Sequence, residues 1–123
     1  MKKIFILLFL TFYSLYAQNI KAYAIGIFDK NGNGENIQNK RTSTHNYNNT
    51  CFSKVAIFSK TKSLTPKVNI GSSIGHFIKR ESIYNKQGMK IGEELLYKHY
   101  NITKGYFEVR VNNSLVDSKV FIK

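Results

Sequence analysis

The sequence predicts an antiparallel all-β fold, and two observations lead to this prediction. Short runs of β-branched, aromatic and aliphatic residues recur along the chain, and turns rich in glycine and asparagine separate them. No long segment keeps a helical period. We expect a two-layer β-sandwich, because the first strand and the C-terminal hairpin both need a second hydrophobic layer to cover them.

Residues 1–17 have the three-part composition of a secretory signal peptide. Lys2 and Lys3 precede an apolar run that ends in the small residue Ala17. The run is shorter than the roughly 20 apolar residues that cross a bilayer, which argues against a retained membrane anchor. We therefore predict cleavage after Ala17, a periplasmic or secreted location, and one β-rich domain at residues 18–123 without a transmembrane helix.

The charge balance indicates an anionic partner or a solvated lysine-rich surface. The chain has 19 Lys and Arg against 7 Asp and Glu, a formal net charge of +12. A basic excess attracts acidic glycans, phospholipid headgroups or nucleic acid. Only Arg41, Arg80 and Arg110 are arginines, and this scarcity argues against nucleic acid, whose phosphates and bases favour the bidentate guanidinium.

The cysteine count limits the disulfide chemistry of the chain. Cys51 is the single cysteine, so an intrachain disulfide is impossible. It lies at the start of an apolar run, and free cysteines are among the most buried residues. We predict that Cys51 belongs to the core.

The first strand is predicted at Ile20–Phe28, and the turn Asp29–Glu35 follows it. The turn resembles the front half of a calcium loop, with oxygen donors at the first, third and fifth positions: Asp29, Asn31 and Asn33. The twelfth position, where a calcium loop has a bidentate Glu, is Lys40. The pattern therefore favours a turn, with a weak metal site as the alternative.

The next segment, residues 36–49, has neither hydrophobic period and is predicted to be a long loop. Long loops in small domains are often either functional or mobile. If this loop makes a specific contact, the side chains best suited to recognition are Arg41, His45 and Tyr47.

Strands are predicted at Cys51–Ser59 and Lys67–Ile70, and the second leads into Gly71-Ser72-Ser73-Ile74-Gly75. This pentapeptide fits Gly-x-Ser-x-Gly, the turn that exposes the nucleophile of serine hydrolases. Such an enzyme would use Ser73 as nucleophile, His99 as base and Glu94, or its neighbour Glu93, as acid. The chain is too short for the large parallel sheet of that fold, so a glycine-rich turn is the favoured interpretation.

A hairpin is predicted around Asn85–Gly88, between His76–Tyr84 and Met89–Gly92. The following segment, Glu93–Asn101, is open to two interpretations. Its acidic start and basic end suit a short helix near 93–100, whereas two turns are too few for a stable isolated helix. Strand and short helix remain equal alternatives here.

The C-terminus is predicted to be a second hairpin. In Gly105–Val111 the alternation places Phe107, Val109 and Val111 on one face, and Leu115–Ile122 returns with Val116, Val120 and Ile122 on the same face. This hairpin resembles the closing strands of an immunoglobulin-like sandwich. The chain lacks that fold's tryptophan and cysteine pair, so the resemblance implies an architecture only and no activity.

These features lead us to expect a non-enzymatic binding or structural module without a cofactor. The expected partners are an envelope protein or an anionic polymer. The first alternative function is a cationic protein that binds such a polymer, a glycan or a lipid-headgroup surface, through its charge. The three histidines, His45, His76 and His99, are too widely spaced for a typical zinc site. A small serine hydrolase centred on Ser73 is the second alternative.

Overall fold

The residues that the structure describes form nine β-strands, joined by turns and loops, and no helix. The structure is a computed structural model and describes residues 20–59 and 63–123. The strands are β1 (Lys21–Asp29), β2 (Gly34–Asn36), β3 (Asn49–Phe58), β4 (Lys67–Ile70), β5 (Ser73–Tyr84), β6 (Lys90–Ile102), β7 (Gly105–Val111), β8 (Ser114–Asp117) and β9 (Phe121–Ile122). The predicted signal peptide, residues 1–17, lies outside the described residues.

The strands form one antiparallel sheet that curls into a half-barrel. Its order is β2-β1-β3-β6-β5-β4-β7-β8, and β9 pairs with β7. The curl brings β8 back towards β1, where the backbone N–H of Ala24 donates a 2.9 Å hydrogen bond to Oδ2 of Asp117. The antiparallel all-β prediction is thus confirmed. The separate layers of a sandwich are not seen, since one sheet curls to cover its own core.

The core lies on the concave side of the sheet, where alternate residues of each strand point inward. On β3 the inward residues are Cys51, Ser53, Val55 and Ile57, and on β6 they are Glu93, Leu95, Tyr97 and His99; all are buried. β7 adds Phe107, Val109 and Val111, as its alternation predicts. Burial of these apolar side chains is the main stabilising contribution.

The segment that allowed either a strand or a short helix, residues 93–101, is the middle of the long strand β6. The helical alternative near 93–100 is therefore wrong. Its acidic start is explained by a half-buried ion pair, because Nη1 of the partly exposed Arg80 on β5 lies 3.0 Å from Oε1 of the buried Glu93. Burial by itself would raise the pKa of Glu93, but contacts with Ser63, Arg80 and Lys90 lower it below the ordinary value.

The predicted returning strand Leu115–Ile122 is divided into β8 and β9. Val120 and Ile122 are buried as expected, whereas Val116 is 41% exposed. A register shift between Val109 and Arg110, where β7 pairs with β8, changes which residues point inward. Asp117 takes the inward position and reaches Ala24.

The loop between β2 and β3 has no strand of its own, as its composition predicts, but it is tied to the rest of the fold. Its Thr42 forms a parallel bridge with Phe121 of β9. The N–H of Phe121 donates to the carbonyl of Arg41, and the N–H of Tyr47 donates to the carbonyl of Lys123. The loop is therefore fixed against the C-terminal strand.

Cys51 is fully buried, in agreement with the core prediction, and burial raises the pKa of its thiol to about 12.

Among residues 20–59 and 63–123 there is no helix with the length and apolar character needed to cross a membrane.

Candidate functional site

The convex side of β1, β3, β6 and β5 carries an ordered row of aromatic and basic side chains. Residues opposite one another in antiparallel strands share a face. Phe28 on β1 pairs with Phe52 on β3, Phe52 pairs with Lys98 on β6, and Lys98 pairs with His76 on β5. These four outward residues therefore lie in one line across four strands.

Lys98 is the centre of this row. Its Nζ lies 5.7 Å from the centroid of the Phe52 ring and 5.0 Å from that of Tyr100, two residues further along the same face of β6. The His76 ring meets Tyr100 edge-on, at 5.5 Å between centroids. Among the described residues, no carboxylate lies within 4.0 Å of the Lys98 amine. Its charge is held by ring faces and remains uncompensated.

Lys54 adds a second cation on the neighbouring outward position of β3. Its Nζ lies 5.3 Å from the centroid of the Phe28 ring and 3.3 Å from Oε1 of Glu94. Both members of this ion pair are substantially exposed, so the pair contributes little to stability and exchanges readily with solvent ions. Lys54 can therefore turn towards an anionic ligand at little cost.

Two shallow clefts open beside the row and share Phe28 and Lys54. One, of about 350 Å³, is also lined by Lys30 and Phe52, and the other, of about 360 Å³, by Gly26 and Gly34. A Cβ on Gly34 would lie 2.5 Å from Cδ1 of Phe28, and one on Gly26 would lie 3.0 Å from Cε2. The two glycines thus make room for the Phe28 ring between the clefts.

We call the set Phe28, Phe52, Lys54, His76, Lys98 and Tyr100 the lysine–aromatic face. Chemically it offers flat apolar rings with primary amines between them. Such a surface packs against the apolar faces of sugar rings or bases while its amines contact acidic groups.

The residues of the serine-hydrolase alternative do not come together as a triad. The hydroxyl of Ser73 donates a 2.8 Å hydrogen bond to the carbonyl of Tyr100, and Nε2 of His99 lies 2.7 Å from Oγ of Ser53. His99 is fully buried on the concave side. Glu94 is on the convex side with Lys54, so the sheet separates it from His99.

The glycines of the Gly-x-Ser-x-Gly motif have structural roles instead. Gly71 has a φ of +57°, which few other residues adopt. A Cβ on Gly75 would lie 2.8 Å from Cε1 of His99. The motif makes a tight turn and leaves space for a buried histidine.

The three loop residues predicted for recognition have different environments. Arg41 and His45 are exposed, and their role in binding stays a prediction. Tyr47 is buried, and its hydroxyl donates a 2.8 Å hydrogen bond to Oε2 of Glu35. Its side chain therefore supports the loop from inside.

The turn that resembles a calcium loop is closed by its own hydrogen bonds. Oδ1 of Asp29 accepts the backbone N–H groups of Asn31 and Asn33, each at 2.9 Å. This is the arrangement of an Asx turn, in which an aspartate caps its own loop. Within residues 20–59 and 63–123, no group of three or more His, Cys, Asp or Glu side chains is placed to hold a metal ion.

Sequence reasoning did not find the lysine–aromatic face. Its six residues lie at outward positions of four strands, so the row exists only after the register is known. The local signal was the spacing Phe52-x-Lys54 and Lys98-x-Tyr100, which places an aromatic ring and an amine on one face of a strand.

No protein-family model, curated protein or solved structure matches this chain.

Proposed function

We propose that this protein is an exported, non-enzymatic binding module that holds an acidic polysaccharide on its lysine–aromatic face. The observation that carries the proposal is the line Phe28, Phe52, Lys98 and His76 across four strands, with Lys98 uncompensated by a carboxylate among the described residues. The composition of residues 1–17 supports export.

The geometry of the row suits a linear ligand. Neighbouring strands are about 4.8 Å apart, so a row across four strands extends over roughly 14 Å. A sugar chain lying along it would place apolar ring faces on Phe28 and Phe52. Its acidic groups would then lie near the amines of Lys54 and Lys98.

The overall charge supports the same ligand class. After cleavage at Ala17 the exported chain keeps 17 Lys and Arg against 7 Asp and Glu, and this net charge of +10 concentrates polyanions near the surface and accelerates their encounter. Diffuse charge by itself gives the ligand no preferred position on the surface, whereas the rings of Phe52 and Tyr100 beside Lys98 provide one. The proposal includes no catalytic step, because the six side chains of the face supply rings and cations for binding and no hydroxyl nucleophile paired with a base.

The proposal is tested by binding to alginate, a linear polymer of carboxylated sugars, with uncharged dextran as the comparison. The double variant Lys54→Gln/Lys98→Gln should bind alginate about thirtyfold more weakly, since it removes two exposed charge contacts that are each worth roughly 1 kcal/mol in water. Affinity should also fall as salt concentration rises, because salt screens these contacts.

A matched control separates a specific site from the general charge of the protein. Lys67 and Lys119 are exposed and lie outside the face, and the double variant Lys67→Gln/Lys119→Gln removes the same charge. It should bind nearly as well as the unmodified protein. Equal losses in both double variants, equal affinity for dextran, or binding to phosphatidylserine vesicles without binding to alginate would each contradict the proposal.

A further inference from the structure

Strand β5 has a long edge without a strand partner among the described residues. β6 pairs with it from Gly75 to Tyr84, but on its other side β4 pairs only with Ser73 and Ile74. Beyond Ile74, the backbone groups on that side meet no neighbouring strand in the part of the chain that the structure describes. Such an edge can accept another strand through main-chain hydrogen bonds.

Apolar side chains accompany the part of this edge that no described strand covers. Phe77 is 42% exposed, Ile78 is 48% exposed and Tyr84 is 62% exposed. Ile78 lies at a register shift where it has no partner on β6. Main-chain groups and apolar surface are therefore available together along one strand.

We propose that the β5 edge is the site where a second copy of this chain docks, with the two β5 strands antiparallel about a two-fold axis at Arg80. A two-fold interface of this kind places the same patch of both copies in contact. The choice of a second copy rests on charge complementarity within β5, and it is independent of the function proposed for the convex face.

The complementarity comes from Lys79 and Glu81. They pair with Leu96 and Glu94, two outward residues of β6, so both are on the convex face. With the axis at Arg80, Lys79 of one copy lies opposite Glu81 of the partner subunit, and symmetry repeats this contact. Opposite charges directly across antiparallel strands stabilise the pairing.

Neighbouring registers lack this match. In an antiparallel pair with a continuous face, residues opposite one another must share a face, so the two-fold axis falls at a residue. An axis at Glu81 would place Lys79 opposite Ile83 of the partner subunit. An axis at Lys79 would place Glu81 opposite Phe77 of the partner subunit. Only the axis at Arg80 pairs the two charges.

The environment of Arg80 is compatible with its position on the axis. Two arginines opposite each other would repel if they were free. Here Nη1 lies 3.0 Å from Oε1 of Glu93, and Nη2 donates a 2.6 Å hydrogen bond to Oγ1 of Thr65. Each copy therefore compensates its own arginine. The Lys79–Glu81 pair within one chain, at 3.2 Å, is highly exposed and can re-pair across the interface.

Sedimentation equilibrium of the purified protein, from low to hundreds of micromolar, tests the proposal. A reversible dimer is expected. Lys79→Glu and Glu81→Lys should each raise the dissociation constant by about tenfold or more, because each variant puts two like-charged pairs across the two-fold. The double variant Lys79→Glu/Glu81→Lys should recover affinity close to that of the unmodified protein.

Lys86→Glu is the matched control, since it makes the same change of charge in the β5–β6 turn, away from the edge. It should leave the dissociation constant nearly unchanged, and circular dichroism should show that every variant is folded. A protein that stays monomeric at all concentrations would overturn the proposal. Lys79 and the register shift at Ile78 would then serve to keep other strands from pairing with this edge. A dimer that the single variants do not weaken, or that the double variant does not restore, would overturn the proposal as well.

Discussion

The hydroxyl of Tyr47 donates a 2.8 Å hydrogen bond to Oε2 of Glu35, and this contact joins the two ends of the loop between β2 and β3. The backbone N–H groups of Thr44 and His45 donate to the same carboxylate at 2.7 and 3.0 Å, and Lys40 forms an ion pair with it. Burial would raise the pKa of Glu35, but these four donors outweigh it and lower the pKa to about 2. The loop is therefore arranged around one charged group.

Glu35→Gln should destabilise the protein and loosen this loop. An amide oxygen can replace only part of the acceptor capacity of the carboxylate, so some of the four donors lose their partner and the free energy of unfolding should fall by about 2 kcal/mol. Urea denaturation measures the loss, and trypsin should cut faster after Lys40 and Arg41. Glu108→Gln is the control, because Glu108 lies on β7, away from this loop, and its carboxylate contacts the partly exposed Arg110 at 3.3 Å. Equal stability of the two variants would contradict the role given to Glu35.

His99 should make the stability of the fold depend on pH. Burial lowers its pKa from 6.5 to about 4. The folded state therefore keeps His99 neutral, while the unfolded chain takes up a proton below about pH 6.5, so stability falls as pH decreases towards 4. Between about pH 7 and pH 5 the free energy of unfolding should decrease by about 2 kcal/mol.

The assignment of this loss to His99 can be checked in the same pH window. His99→Gln should be less stable at neutral pH but should lose much less between about pH 7 and pH 5, since no imidazole remains to be protonated. Glu35 and Glu93 have lowered pKa values, so their contributions to the stability of the fold are lost only below about pH 4.5. His45→Gln, at an exposed position, should keep the original pH dependence. An unchanged dependence in His99→Gln would refute the assignment.

Gly75→Ala should be destabilising because of the same histidine. The added methyl group would lie 2.8 Å from Cε1 of His99 and 3.1 Å from the carbonyl oxygen of Val68. Overpacking of this kind typically costs about 1 to 3 kcal/mol. Ile74→Ala, at the neighbouring exposed position, should change stability by no more than about 0.5 kcal/mol. Thermal unfolding compares the two, and a harmless Gly75→Ala would show that His99 can move aside.

Local sequence patterns predicted most of the strands because their residues alternate within one segment. The bounds of Lys67–Ile70 agree with β4, and the buried side of Gly105–Val111 is as expected. The prediction that Val116 points inward was wrong, because its orientation depends on a register shift in the pairing of β8 with β7. The choice of Asp117 as the inward residue depends on the distant N–H of Ala24. Neither relationship can be read from neighbouring residues.

The candidate site was harder to predict for the same reason. Ser73 and His99 fit a catalytic pattern in the sequence, but spacing alone does not tell that, once the strands pair, Ser73 bonds the carbonyl of Tyr100 and His99 bonds Ser53. The lysine–aromatic face has no sequence motif, since its row is assembled from four strands. Its recognition required the pairings of Phe52 with Phe28 and with Lys98.

The contact between Lys98 and Tyr100 should be measurable without any ligand. An amine above an aromatic ring at an exposed site contributes about 0.5 to 1 kcal/mol. A double-mutant cycle with Lys98→Gln and Tyr100→Leu isolates this term, because each single variant removes the pair while leaving the strand intact. We expect a coupling free energy of at least about 0.5 kcal/mol from urea denaturation. Lys98→Arg should retain the coupling, since a guanidinium also packs on the ring. Additive effects of Lys98→Gln and Tyr100→Leu would mean that the ring does not hold the amine, and the fixed position of the central cation in the proposed binding row would lose its physical basis.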